Sequence, residues 1–115
     1  MLFRSLVGPG RLPSHVDQRL RDLFLEMNGR ALQNDFDNAP VEKLDPPAFG
    51  RLGEIKAPTL VIVGDHDLAQ IQKTADLLVS KIHGARKAVI HDAAHLPNLE
   101  HPEKFNRLLL DFLNG

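Results

Sequence analysis

Pro58-Thr59-Leu60-Val61-Ile62-Val63-Gly64-Asp65-His66-Asp67 is the stretch on which the reading of this chain turns. Thr59 to Val63 run apolar or β-branched without alternation, the pattern of a strand covered on both faces, as in a parallel sheet. The strand empties into a turn that carries two carboxylates and an imidazole. Leu68, Ile71, Ala75, Leu78 and Ile82 then recur at spacings of three and four, which predicts an amphipathic helix ending near Gly84. A second, shorter strand, Ala88-Val89-Ile90, leads into Asp92-Ala93-Ala94-His95-Leu96-Pro97. Pro102 opens a last helix at a first-turn position, where its missing N–H costs nothing, and Glu103 complements the helix dipole. Phe105, Leu108, Leu109 and Phe112 form the buried stripe of that helix, and Asn114-Gly115 end it. Strand, helix, strand, helix in this order predicts a parallel pair with a right-handed crossover, and an α/β fold class.

Upstream of Ile55 the texture is different. Residues 1–13 carry Gly8-Pro9-Gly10 and Pro13, and no defined element is expected there. Ser14 followed by Asp17 resembles a capping box, with Asp in place of the commoner Glu. Val16, Leu20, Leu23, Phe24 and Met27 fall on one helical stripe, with Gly29 as its expected end cap. Asn34 to Pro47 is rich in Asn, Asp and Pro and reads as loop, with a short helical turn after Pro46-Pro47. The chain therefore divides into residues 1–50, a helical segment and loop, and residues 51–115, the β-α-β-α part. No internal repeat or low-complexity segment is visible.

At 115 residues the chain is one domain or part of one. A formal net charge of −1 gives no electrostatic footprint for nucleic acid or an anionic membrane. No apolar run reaches the roughly 18 residues of a membrane span, and Met1 to Val7 is too short an apolar stretch for a signal peptide. Zero cysteines exclude disulfides and thiolate metal sites and fit a cytoplasmic location. Gly8-Pro9-Gly10 is not a phosphate loop, since the lysine, the preceding strand and the full glycine spacing are absent.

Functional residues of open parallel sheets gather at the carboxyl ends of strands. Asp67 and His95 both fall there, 28 residues apart, enough for one helix and one strand between them. Adjacent parallel strands lie about 4.8 Å apart, so the two loops can meet. A carboxylate against an imidazole fixes its tautomer and stabilises the imidazolium formed in proton transfer, which is the acid and base half of a nucleophilic triad. Taken singly, Asp67 reads as a cap for the helix beginning at Leu68, and His95 as a turn residue. Their joint placement after two consecutive strands favours the chemical reading. Asp65 competes for the acid role, and could equally bond turn amides. A metal reading rests on His91 and His95, four apart, with Asp65, His66 and His101 nearby. The turn residues around them and the lack of H-E-x-x-H disfavour it, and neither a metal nor a cofactor is expected. His15 and His83 read as surface positions. The nucleophile has no candidate: there is no G-x-S-x-G, Ser5 and Ser14 follow no strand, and Ser80 is mid-helix.

Pro58 to Asp67 resembles the strand and acid turn of the α/β-hydrolase superfamily, P-T-L-x-x-x-G-x-x-D, whose last Asp is the triad acid. The resemblance assigns that role to Asp67 rather than Asp65. Ala94-His95-Leu96-Pro97-Asn98-Leu99-Glu100-His101-Pro102 is similar to the family's terminal histidine loop, G/A-H-x-x-x-x-E-x-P, whose His is the base, matching His95. Leu110 to Leu113 resembles its last helix. The resemblance covers about residues 52–115, and its flavour is that of the lid-bearing esterases, enol-lactonases and carbon–carbon bond hydrolases. Residues 1–50 are less closely similar to the end of the helical lid. The implied fold is the carboxy-terminal part of an α/β hydrolase. The implied function is to supply acid and base for hydrolysis of an ester, lactone or carbon–carbon bond. The family's first strands, oxyanion loop and nucleophile elbow have no counterpart here, so the isolated chain is expected to be inactive. Its expected partners are an ester-like small molecule once completed, and a second copy of itself or an amino-terminal companion chain. The alternative is a non-catalytic remnant that acts by association.

Overall fold

Two strands pair in the computed structural model, which describes residues 2–35 and 40–115. β1 spans Leu60–Gly64 and β2 spans Arg86–Ile90. They run parallel, Leu60 opposite Arg86 through Gly64 opposite Ile90. A helix, α3 (Ala69–Lys81), connects them. Thr59 stays outside β1, although its carbonyl accepts the N–H of Arg86 at 3.0 Å. β2 starts two residues earlier than its apolar run because its polar residues find partners. Lys87 pairs with Asp76 of α3, and the Arg86 guanidinium sits 5.6 Å from the centre of the Phe112 ring.

The α3 stripe turns Ala75 into the core, and Ile82, the cap residue after the helix, is 4% exposed. Gly84 then takes the left-handed conformation of the turn that follows, φ +75°. After β2 come a short helix missed in the sequence, α4 (Pro97–Glu100), and the expected last helix, α5 (Pro102–Asn114). Both open on a proline. Phe105, Leu108 and Phe112 of α5 are half-buried, whereas Leu110 and Leu113 face outward.

The amino-terminal part differs most from expectation. Leu2–Val7 forms a helix, α1, where no element was expected. Its glycine and proline terminate a helix rather than prevent one. Gly8 adopts φ +85° and donates its N–H to the Arg4 carbonyl at 2.9 Å, satisfying an orphan carbonyl of the last turn. Leu6 and Val7 supply the stabilisation: they pack with Val16 and Phe24, with Leu20 and Leu96 against them. Burying two such side chains contributes roughly 1.5–3 kcal/mol each.

The second helix, α2, runs Gln18–Asp35. The expected Ser14–Asp17 box is not formed. Ser14 lies in a 3₁₀ turn, Pro13–His15, while the Asp17 carboxylate accepts the Arg19 N–H at 2.8 Å, so Asp17 itself caps the helix. Gly29 is not an end cap; α2 passes through it, with Glu26 and Arg30 paired across it at 2.6 Å. Of the expected stripe, Val16 and Phe24 are buried, but Leu23 and Met27 are 40% and 51% exposed. The expected loop from Asn34 to Pro47 is therefore corrected at Asn34 and Asp35, which are helical; residues 36–39 of it lie outside the described residues, and the rest up to Pro47 is irregular. The helical turn after Pro47 is present as a 3₁₀ helix, Ala48–Glu54. Among the described residues, no helix is long and apolar enough to cross a membrane.

Candidate active site

The acid turn and the histidine loop are joined first through their backbones. Asp65 N–H donates to the Ile90 carbonyl at 3.1 Å, and His66 N–H to the Ala93 carbonyl at 2.8 Å. This approach needs Gly64, since a Cβ there would collide with the carbonyl oxygens of Ala93 and Ala94. The loop's own turn bends at Asp92, which holds φ +58°. Asp tolerates that conformation better than most residues, and here its carbonyl is gripped by Arg11 and His101.

Asp67 and His95 meet. The His95 Nδ1–H donates to Asp67 Oδ2 at 2.8 Å. The Asp67 side chain is 4% exposed, that of His95 48%. Asp67 Oδ1 accepts the Leu68 N–H at 2.7 Å at the head of α3. One oxygen of the carboxylate thus meets the imidazole and the other the Leu68 amide; the helix-cap reading is corrected, since Leu68 is itself the cap residue of α3 and no side chain caps that helix. With both oxygens held, the carboxylate cannot rotate away from the imidazole. The His95 N–H in turn donates to the Ser5 carbonyl at 3.2 Å. Nδ1 is committed to Asp67, and among the described residues nothing bonds Nε2, which leaves that atom available for proton transfer.

Asp65 is placed differently. Its Oδ1 accepts the Asp92 N–H at 2.8 Å and its Oδ2 the His91 Nδ1–H at 3.0 Å. Burial pushes its pKa up, but the His91 ring, the Asp92 N–H, the nearby His66 and the Ala93 N–H outweigh it and hold the carboxyl below its ordinary value of 3.8. It serves the turn amides and an exposed ring, outside the Asp67–His95 contact. The histidines of the metal reading are dispersed over separate acceptors, with His101 Nε2 donating to the Asp92 carbonyl at 3.0 Å. Among the described residues, no three His, Asp or Glu side chains are grouped to hold a metal ion.

Among the described residues, no serine hydroxyl bonds His95. Ser80 Oγ donates to the Leu77 carbonyl within α3, Ser14 is exposed in its 3₁₀ turn, and Ser5 contributes only its backbone carbonyl to the loop. Two residues around the loop went unrecognised. Arg11 and Glu100 form a buried ion pair at 2.8 Å, 4% and 6% exposed. Glu100 stands within the loop motif, but 89 residues separate it from Arg11, and no spacing rule links them.

A parallel pair with an acid turn and a histidine loop at its carboxyl end defines the carboxy-terminal portion of an α/β-hydrolase fold. The comparisons agree. A 2-hydroxy-6-oxononadienedioate/2-hydroxy-6-oxononatrienedioate hydrolase of Klebsiella pneumoniae is 40% identical over 68 residues, 58% of this chain and 24% of the relative. The enol-lactonase of Burkholderia xenovorans LB400 superposes with a TM-score of 0.54 at 37% identity, over 58% of this chain and 25% of that one. Est816, described as an N-acyl homoserine lactone degrading enzyme, superposes with a TM-score of 0.71 at 29% identity, over 96% of this chain and 44% of that one. No protein-family model matches the chain. The chain spans about a quarter of the length of the curated relatives it matches. Its fold is that of the carboxy-terminal part of an α/β hydrolase, and its relatives over that part are hydrolases.

Proposed function

We propose that this chain supplies the acid and base of a Ser-His-Asp triad for hydrolysis of an ester, lactone or carbon–carbon bond, with the nucleophile outside these 115 residues. The observation that carries the reading is the 2.8 Å bond from His95 Nδ1 to a buried carboxylate whose other oxygen is fixed by the Leu68 N–H. His95 Nε2 takes the proton of the incoming hydroxyl nucleophile as it attacks, and the imidazolium that forms is stabilised by Asp67. The same nitrogen then returns the proton to the leaving group. Residues 1–50 act in this reading as the end of a helical lid joined to the core at residues 51–115. The substrate class rests on the relatives, which include an enol-lactonase and a 2-hydroxy-6-oxononadienedioate/2-hydroxy-6-oxononatrienedioate hydrolase.

The test is completion. The part of the Burkholderia xenovorans enol-lactonase that precedes its matched quarter is fused to this chain, and ester and lactone turnover is measured. His95→Ala is expected to lower kcat by at least roughly 10³-fold, and Asp67→Asn by about 10⁴-fold through the wrong tautomer, with unchanged thermal midpoints for His95→Ala. A fusion that turns over and keeps most of its activity after His95→Ala would falsify the assignment.

A second reading, association without catalysis, is favoured by one observation. β1 pairs with β2 alone among the described residues, so its other edge presents unpaired backbone groups.

A further inference from the structure

Arg11 stands at a junction that the triad reading leaves unexplained. Its guanidinium reaches six oxygens from three separate pieces of chain, one of them the Asp92 carboxylate at 3.5 Å. Nε donates to the Val7 carbonyl at 2.7 Å and Nη2 to the Leu6 carbonyl at 3.2 Å, both at the carboxyl end of α1. Nη1 donates to the Asp92 carbonyl at 3.1 Å, where the histidine loop begins. Nη1 and Nη2 lie 2.8 and 3.1 Å from the two oxygens of Glu100, where the loop ends. Glu100 Oε2 in turn accepts the N–H of Ala94 at 2.7 Å. Ala94 is fully buried and immediately precedes His95.

We infer that Arg11 is a positioning residue for His95: its guanidinium fixes Glu100, Glu100 holds the Ala94 amide, and the loop is thereby set at the height at which the imidazole meets Asp67. The inference rests on the reading of Asp67 and His95 as a catalytic pair. Burying a guanidinium and a carboxylate together is a poor route to stability, because desolvation offsets their attraction and apolar residues of similar volume often do as well. What the pair supplies is direction. A planar fork can bind a carboxylate with both nitrogens and still spend its remaining N–H groups on carbonyls. Lysine, with one charged nitrogen, cannot span these oxygens. The loop needs such a hold because it has little regular structure of its own: between β2 and α4 it contains a left-handed residue at Asp92 and no repeating backbone ladder. The other hold on His95, its N–H to the Ser5 carbonyl, comes from α1, the helix whose end Arg11 also grips. Residues 2–11 therefore act as a strap across the base of the loop.

The experiment reads the ring itself in the 115-residue chain labelled with ¹⁵N-histidine. Long-range ¹H–¹⁵N spectra at neutral pH report which nitrogen of His95 is protonated and whether the Nδ1 proton is held in a bond. The unmodified chain is expected to show a single Nδ1–H tautomer with a slowly exchanging low-field proton, and Asp67→Asn to lose it. Arg11→Met and Glu100→Gln are both expected to give a mixture of tautomers and fast exchange of that proton, while the methyl signals of Val61, Val63 and Ile90 stay in place. Arg11→Lys is expected not to restore the single tautomer. Glu100→Gln keeps an acceptor for Ala94 and nearly the same volume, so it decides the matter if Arg11→Met fails to fold. A single, slowly exchanging Nδ1–H tautomer retained in folded Glu100→Gln overturns the positioning role and leaves the catalytic pair standing. An unmodified chain without that proton overturns the pair, and the positioning role with it.

Discussion

Asp65 and Asp67 are two residues apart on one turn, and the structure separates them by burial and by partner. Asp67 is enclosed and held by Leu68 and His95; the side chain of Asp65 is 34% exposed and held by His91 and the Asp92 amide. Asp65 has a thermodynamic signature of its own. Its carboxyl gives up its proton more readily in the folded chain than at its ordinary value of 3.8. The unfolded state thus binds the proton first as pH falls, and stability rises with pH in that range. The contribution is complete above about pH 4–5 and drains away as the pH drops through the folded value. Urea unfolding of the chain and of Asp65→Asn is expected to differ at pH 7 and to converge as the pH is lowered below 3.8 and through the folded value. Equal separation of the two curves at both pH values would show that the bonds to His91 and Asp92 do not favour the ionised form. Partial exposure keeps the effect small in either case.

Elements were legible where a local pattern and a tertiary contact point the same way. The apolar run into Gly64, the three-and-four spacing of α3 and the proline opening α5 each carry their own physical reason, and all three stand within three residues of expectation. α1 was not legible, because Gly8-Pro9-Gly10 is the strongest local signal there and the stabilisation comes from Leu6 and Val7 docking on Val16 and Phe24. Arg11 and Glu100 were not recognised for the same reason, since a bond between residues 89 positions apart leaves no periodic trace. Glycines show the contrast most sharply. Gly29 lies inside α2 with open space around its Cα, so a Cβ meets nothing. Gly29→Ala is expected to raise stability by about 0.5–1 kcal/mol, read as a higher urea midpoint with an unchanged slope. Gly64 is the opposite case, pressed against the carbonyls of Ala93 and Ala94. Gly64→Ala is expected to cost about 1–3 kcal/mol and to push the histidine loop off β1. In ¹H–¹⁵N spectra the His66 amide, bonded to the Ala93 carbonyl, should move most. If Gly64→Ala leaves both the midpoint and that amide unchanged, the close approach of loop and strand is wrong.

The whole molecule is looser than its length requires. A self-contained domain of this size has a radius of gyration of about 13 Å, whereas this chain measures 16.2 Å. Among the described residues, Leu6 and Ile90 are the largest fully buried side chains, and they lie in different parts of the chain. β1 was expected to be covered on both faces, yet Leu60, Val61 and Ile62 are only half-buried, and Val89 of β2, with Leu110 and Leu113 of α5, stands partly open. The apolar run is therefore written for more cover than these residues supply, and a two-stranded sheet is marginal on its own. Sedimentation across a concentration series is expected to show the chain associating, since its unpaired strand edge and open apolar side chains remain available to a second copy. In hydrogen exchange, the β1 amides that face away from β2 should be protected only in the associated form, or when the amino-terminal part of a relative is added. Amides that β1 shares with β2 serve as the internal reference. Slow exchange along all of residues 60–64 in a monodisperse monomer would mean that β1 is already covered, and neither completion by a nucleophile-bearing portion nor association would then be needed to explain its sequence.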